Sequence, residues 1–114
     1  MTVIRAALTQ ATWTGDKESM LVKHERFVAE AASRGAQVIC FQELFYGPYF
    51  GIVQDKKYYG YAEPVPGPVT ERFAALARQH QMVMVLPVSC ARTGHGAVRG
   101  ARQATPDGDG VTGV

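Results

Sequence analysis

The stretch Gly35-Ala-Gln-Val-Ile-Cys-Phe-Gln-Glu-Leu-Phe45 decides how the rest of the chain is read. Its Val38-Ile39-Cys40-Phe41 segment is wholly apolar, and the expected strand runs from Ala36 to Phe41. Short uninterrupted runs of this kind mark strands covered on both faces, as in parallel sheets between helices. Gly35 in front of it tolerates positive φ and suits the end of a helix. Glu43 follows the strand by two positions.

Upstream, Lys17 to Arg34 has helical spacing, with Met20, Leu21, Phe27, Val28, Ala31 and Ala32 on one stripe of period about 3.6. Asp16 is the expected N-cap, after the polar turn Thr14-Gly15-Asp16. Thr2 to Leu8 reads as a short strand with Val3, Ile4 and Leu8 as its apolar content, ending in Thr9-Gln10. Downstream, Gln42 to Tyr61 lacks clean periodicity and reads as a long loop with short helical turns. Ala62 to Pro68 is extended and locked by prolines. Thr70 is expected to cap a helix over Glu71 to Gln81, with Phe73, Ala74, Leu76 and Ala77 inward. Met82 to Leu86 is a third buried strand. The order β-α-β-loop-α-β predicts an α/β fold.

At 114 residues, 46% hydrophobic and 19% charged, the chain is one small domain or part of a larger one. A net charge of +2 with mixed signs leaves no basic footprint for nucleic acid. No apolar run approaches the roughly 20 residues of a membrane span, and Met1 to Leu8 lacks the features of a signal peptide. Cys40 and Cys90 stand apart without metal-like spacing, so a cytoplasmic protein without a disulfide scaffold is expected.

Composition changes near Val88. Residues 89–114 hold six of the twelve glycines, three arginines, no lysine and no aromatic. Two readings fit: a disordered glycine-rich tail, or the product of a shifted reading frame in a GC-rich gene. The informative unit is accordingly expected to be residues 1–88.

Among candidate chemical groups Glu43 stands out. Ligand sites of α/β sheets gather beyond the carboxyl ends of strands, and eight of the eleven aromatics lie between residues 41 and 61. A carboxylate desolvated among them would be a better general base near neutral pH. The alternative is a Glu that caps a helix or pairs with Lys56, Lys57 or an arginine. Cys40 is expected to be an inert core thiol. Cys90 with His95 lacks a scaffold to hold a nucleophile and its base. His24 is expected at the boundary of the apolar stripe, and His80 near a helix C-terminus, where a cation complements the dipole. Asp107-Gly-Asp-Gly110 lacks the strand and helix of a phosphate loop.

The run from Gly35 to Phe45, with Tyr46-Gly-Pro-Tyr-Phe50, resembles the nitrilase superfamily of carbon–nitrogen hydrolases. Its branch acting on N-carbamoyl amides, the β-ureidopropionases and N-carbamoylputrescine amidases, is the nearer likeness. Val3-Ile-Arg-Ala-Ala-Leu-Thr-Gln10, Ala62-Glu-Pro-Val-Pro-Gly-Pro68 and Met82-Val-Met-Val-Leu-Pro87 fit it as well. The resemblance implies an αββα sandwich, of which this chain would be the N-terminal part, and a Glu–Lys–Cys triad with Glu43 as the base. It implies no cofactor and no metal. Its partners would be a small carbamoyl amide such as N-carbamoyl-β-alanine and, in the full-length enzyme, other copies of the chain. Phe45, Tyr46 and Tyr49 are the expected substrate-pocket residues. Past Val88 the resemblance stops: no lysine follows Lys57, and Cys90 falls too early for the nucleophile. The 114-residue chain alone is therefore expected to be inactive. A second function class, a non-catalytic α/β module using residues 41–61 as an interface, uses the same aromatics but has no need of Glu43. A flavodoxin-like domain is disfavoured, because neither strand end carries a phosphate-binding loop.

Overall fold

Asp16 starts the first helix, its carboxylate accepting the Ser19 N–H at 2.8 Å. That bond holds the Asp16 carboxyl below the usual carboxylate range. In the computed structural model, which describes residues 2–48, 60–91, 97–104 and 112–113, the elements are β1 (Ala6–Leu8), α1 (Lys17–Ser33), β2 (Val38–Cys40), α2 (Pro68–His80), β3 (Val83–Ala91), β4 (Ala97–Ala104) and β5 (Thr112–Gly113). Helix α1 stops at Gly35, where φ is +80°. The Gly35 and Ala36 N–H groups donate back to Ala32 and Ala31, each at 3.0 Å, in the Schellman pattern. The Arg5 guanidinium donates to the Arg34 carbonyl at 2.7 Å and ties the approach to β1 to the end of α1.

Helix α2 begins earlier than the sequence suggests. Pro68 occupies its first turn, and Thr70 lies inside the helix, its hydroxyl accepting the Gly67 N–H at 2.7 Å. A Cβ at Gly67 would sit 2.2 Å from the Pro64 carbonyl oxygen, so the approach to the helix has room only for glycine. The Val69 N–H, an orphan donor of the first turn, is satisfied by the buried Glu63 carboxylate at 2.6 Å. The other Glu63 oxygen accepts from Lys17 Nζ at 3.0 Å, so one carboxylate joins the N-termini of both helices. On the outer side Arg72 pairs with Glu18 at 2.9 Å and with Glu25, linking α2 to α1.

The sheet has the order β1-β2-β3-β4-β5. Strands β1, β2 and β3 are parallel, with Ala7 opposite Ile39 and Ile39 opposite Met84. Both helices lie on one face: Met20, Val28, Phe73 and Ala77 pack with Ile39, Met84, Leu86 and Val88. Val38, Cys40, Val83 and Val85 point to the other face and are half-buried. The expectation that β2 is covered on both faces is thus corrected, because both connecting helices fall on the same side. One sheet with helices on one face is half of the αββα layering the resemblance implies. The apolar residues expected in the first strand are exposed: β1 is an edge strand, and Val3, Ile4 and Leu8 are 82%, 64% and 83% accessible.

The boundary expected at residue 88 lies within a strand. β3 continues to Ala91, and β4 pairs with it antiparallel from Met84↔Ala104 to Ala91↔Ala97. The expectation of an unstructured tail from residue 89 is corrected for these strand residues. An antiparallel ladder is built from backbone N–H and C=O groups, which glycine, alanine and arginine supply as well as apolar residues do. Cys90 falls in β3 and His95 lies outside the described residues, as do Lys56 and Lys57.

Glu63 offers the clearest stability test. Glu63→Ala removes a charge-assisted acceptor from a buried N–H and is expected to cost about 1.5–3 kcal/mol in a urea melt. Lys17→Ala, at a side chain 31% accessible, is expected to cost less.

Candidate active site

The site is built where β2 leaves the sheet. The Phe41 N–H still donates to Val85 O at 3.1 Å. The next residue, Gln42, is held from β1 and the chain just beyond it. Its N–H donates to Thr9 Oγ1 at 3.0 Å, its Nε2 donates to the Ala11 carbonyl at 3.0 Å, and its Oε1 accepts the Ala11 N–H. Residues 43–46 then form a tight turn. Leu44 takes φ +52°, in the left-handed region, and its carbonyl accepts the Gly47 N–H at 3.1 Å. A buried leucine in that conformation stores roughly 1 kcal/mol or more and persists only where the surroundings over-determine it.

This turn sends Glu43 outward. Within residues 41–48, Phe41, Leu44, Phe45, Tyr46 and Pro48 are buried, and Glu43 is exposed. The aromatics therefore do not act as expected. Phe45 is fully buried, edge-on to Phe41, Tyr46 and Phe73 at centroid distances of 4.8, 5.1 and 5.4 Å. Tyr46 is 3% accessible, with Lys17 Nζ 5.0 Å from its ring centroid. Phe45 and Tyr46, expected along a pocket, are part of the core beneath the turn, while Glu43 is exposed. The left-handed Leu44 stands between the exposed Glu43 and the buried Phe45 and Tyr46. Tyr49, the remaining pocket expectation, lies outside the described residues. A groove of about 270 Å³ between β1 and α1 is lined by Leu8, Thr9, Phe27 and Ile39 among others, and not by Glu43.

His24 is the residue the sequence reading underestimated. It is wholly buried, with ring centroids 5.0 Å from both Phe41 and Phe45 and 5.3 Å from Phe27. Its Nδ1 lies 3.0 Å from Met20 O, and its Nε2 lies 3.3 Å from Thr9 Oγ1. A carbonyl only accepts, so Nδ1 carries the proton and Nε2 accepts from the Thr9 hydroxyl. Burial pushes the His24 imidazole below its ordinary value, with the nearby Lys23 charge acting the same way and the Met20 carbonyl opposing. The spacing of His24 from Met20 and Val28, four residues each way along the apolar stripe, was the available signal for its burial. The Lys17–Glu63 pair had none, because its members are 46 residues apart.

Cys40 is half-buried, with Sγ 3.7 Å from the Phe41 carbonyl oxygen. Among the described residues no group of three or more His, Cys, Asp or Glu side chains is placed to hold a metal ion. None of their helices is long and apolar enough to cross a membrane.

The carbon–nitrogen hydrolase family matches residues 5–110, well past Val88, where the motif resemblance was expected to stop. A bifunctional nitrilase/nitrile hydratase of Nicotiana tabacum is 39% identical over 101 residues, covering 75% of this chain and 29% of that protein. An N-carbamoylputrescine amidase of Solanum lycopersicum is 35% identical over 88 residues, covering 76% of this chain and 29% of its own length. Among solved structures, a carbon–nitrogen hydrolase of Helicobacter pylori superposes with TM-score 0.78 at 21% identity, covering 96% of this chain and 39% of that one. A Xanthomonas campestris member of the same superfamily gives TM-score 0.75 at 20% identity, with 95% and 38% coverage. The chain thus spans about 29% of the length of the curated relatives it matches.

The burial of His24 predicts a pH signature. Well above pH 6.5 the ring is neutral in both folded and unfolded chains and contributes no pH dependence. Below it the unfolded chain binds a proton that the buried ring resists. Stability then falls with acidification, by up to about 1.4 kcal/mol per pH unit, until the lowered folded pKa is passed. Urea melts between pH 7.5 and 5 should show this decline, and His24→Asn should flatten it.

Proposed function

This chain belongs to the carbon–nitrogen hydrolase family, and on that footing we propose that it carries the general-base segment of a hydrolase of non-peptide carbon–nitrogen bonds, with Glu43 as the base. The observation that carries this is the placement of Glu43. It is the exposed carboxylate on a tightly specified turn directly beyond the carboxyl end of β2, an interior parallel strand. In the proposed reaction Glu43 accepts the thiol proton as a cysteine attacks the substrate carbon, and that proton goes on to the departing nitrogen. Glu43 next takes a proton from the water that cleaves the resulting thioester. A lysine and backbone donors stabilise the tetrahedral oxyanion. Cysteine and lysine are those the family resemblance implies, and neither role is assigned to a residue of this chain.

The proposed substrates are N-carbamoyl amides such as N-carbamoyl-β-alanine, with N-carbamoylputrescine as the alternative. Support comes from the likeness of Gly35–Phe45 and the motifs around it, and from the identity to the Solanum lycopersicum amidase. A nitrile is the second reading, favoured by the 39% identity to the Nicotiana tabacum nitrilase/nitrile hydratase. A homo-oligomer of the full-length enzyme in the cytoplasm remains part of this proposal. For the interaction-module reading over residues 41–61, Phe41, Phe45 and Tyr46 pack in the chain's own core and offer no surface to a partner, while Tyr49, Phe50, Tyr58 and Tyr59 lie outside the described residues.

In a full-length enzyme carrying this segment, Glu43→Gln should lower ammonia release by about 10²–10⁴-fold. N-carbamoyl-β-alanine, N-carbamoylputrescine and an aliphatic nitrile assayed side by side decide the substrate class, and undiminished turnover by the variant would remove Glu43 from the mechanism. The 114-residue chain by itself is expected to release no ammonia from any of the three.

A further inference from the structure

We infer that Thr9 and His24 are positioning residues for Glu43, acting through the backbone of Gln42; this rests on the reading of Glu43 as the base. The chain of hydrogen bonds has one polarity. His24 Nδ1–H donates to Met20 O at 3.0 Å, which leaves Nε2 as an acceptor. The Thr9 hydroxyl donates to Nε2 at 3.3 Å, and its oxygen is thereby turned to accept the Gln42 N–H at 3.0 Å. The chain ends on the peptide directly preceding Glu43. Phe27, Phe41 and Phe45 enclose the imidazole, so water has no access to compete for its nitrogens.

A buried histidine needs partners wherever it lies, and a purely structural role would be met by any acceptor and donor in the core. Here the partner is a hydroxyl at the end of β1 that reaches the one strand exit bearing the exposed carboxylate. The same segment grips Gln42 a second time, through both Ala11 backbone groups on its side-chain amide. Residue 42 is held in main chain and side chain, and Leu44 takes φ +52° on the other side, so the backbone is constrained on both sides of Glu43. A hydroxyl is therefore required at position 9, where serine suffices and valine does not.

The test uses the ¹⁵N-labelled 114-residue chain and no turnover, so its failure is separate from a failure of Glu43 as base, which is read by Glu43→Gln activity. Long-range ¹⁵N–¹H spectra of the wild type near pH 7.5 should show His24 protonated at Nδ1 and bare at Nε2. Thr9→Val should speed amide exchange at Gln42 and Glu43 by about fivefold to tenfold, as expected for one lost hydrogen bond, while Ile39 in β2 exchanges as before. Thr9→Ser should restore the wild-type rates. An Nε2-protonated ring overturns the inference even if Thr9→Val does not fold. So does Thr9→Val exchange at Gln42 and Glu43 that is unchanged, or that rises equally at Ile39 as a loss of global stability would require.

Discussion

A parallel strand that stops while one neighbour continues leaves backbone groups without a ladder, and the closure of that gap beyond β2 is the constraint on which the candidate site depends. The last ladder-like bond is Phe41 N–H to Val85 O. One residue later the partner is a side chain, Thr9 Oγ1, and the side chain of Gln42 in turn takes the N–H and C=O of Ala11. These substitutions let β1 and β2 end together while the chain reverses through a left-handed Leu44. An uncommitted loop would leave a carboxylate at this point pointing in many directions. Here the backbone is held on both sides of it, and for the proposed base such orientation would lower a barrier before any chemistry begins.

Beneath the turn, a second set of interactions connects the site to the rest of the fold. Phe41, Phe45 and Phe73 pack edge-to-face and the His24 ring of α1 lies against Phe41 and Phe45, so the turn, α1 and α2 share one aromatic core. Lys17 lies over Tyr46 and pairs with Glu63, whose other oxygen caps α2. The N-termini of both helices thereby meet at the end of the sheet where Glu43 stands. Other parts of the described fold are less enclosed. β1 is an edge with Val3, Ile4 and Leu8 exposed, and the sheet face away from the helices is half-buried.

Local signals were legible in the sequence, and long-range ones were not. Asp16 as a cap, the stripe from Met20 to Ala32 and Gly35 as a stop depend on contacts within one or two turns, and α1 has those bounds within a residue. The apolar run before Glu43 locates β2, which spans Val38–Cys40 within the expected Ala36 to Phe41. The α2 start was misplaced because Thr70 bonds back to Gly67 in the manner of a cap while sitting inside the helix. The aromatic cluster is visible in the sequence, but the burial of Phe41, Phe45 and Tyr46 in the core is not, since it depends on contacts with the distant His24 and Phe73. The strand character of Ala97–Ala104 escaped composition because its pairing to β3 uses backbone groups. The spacing of His24 suggests the boundary of the apolar stripe, whereas its partners Thr9 and Phe41 lie just beyond the ends of β1 and β2 and bury it.

Backbone NMR of the 114-residue chain tests most directly whether the turn that presents Glu43 is formed in advance. The account predicts a single conformer, with the strong intraresidue amide–Hα contact of a positive φ at Leu44 and proximity between the Thr9 side chain and the Gln42 amide. Averaged couplings at Leu44 with no contact between Thr9 and Gln42, in a chain whose helices are intact, would contradict it.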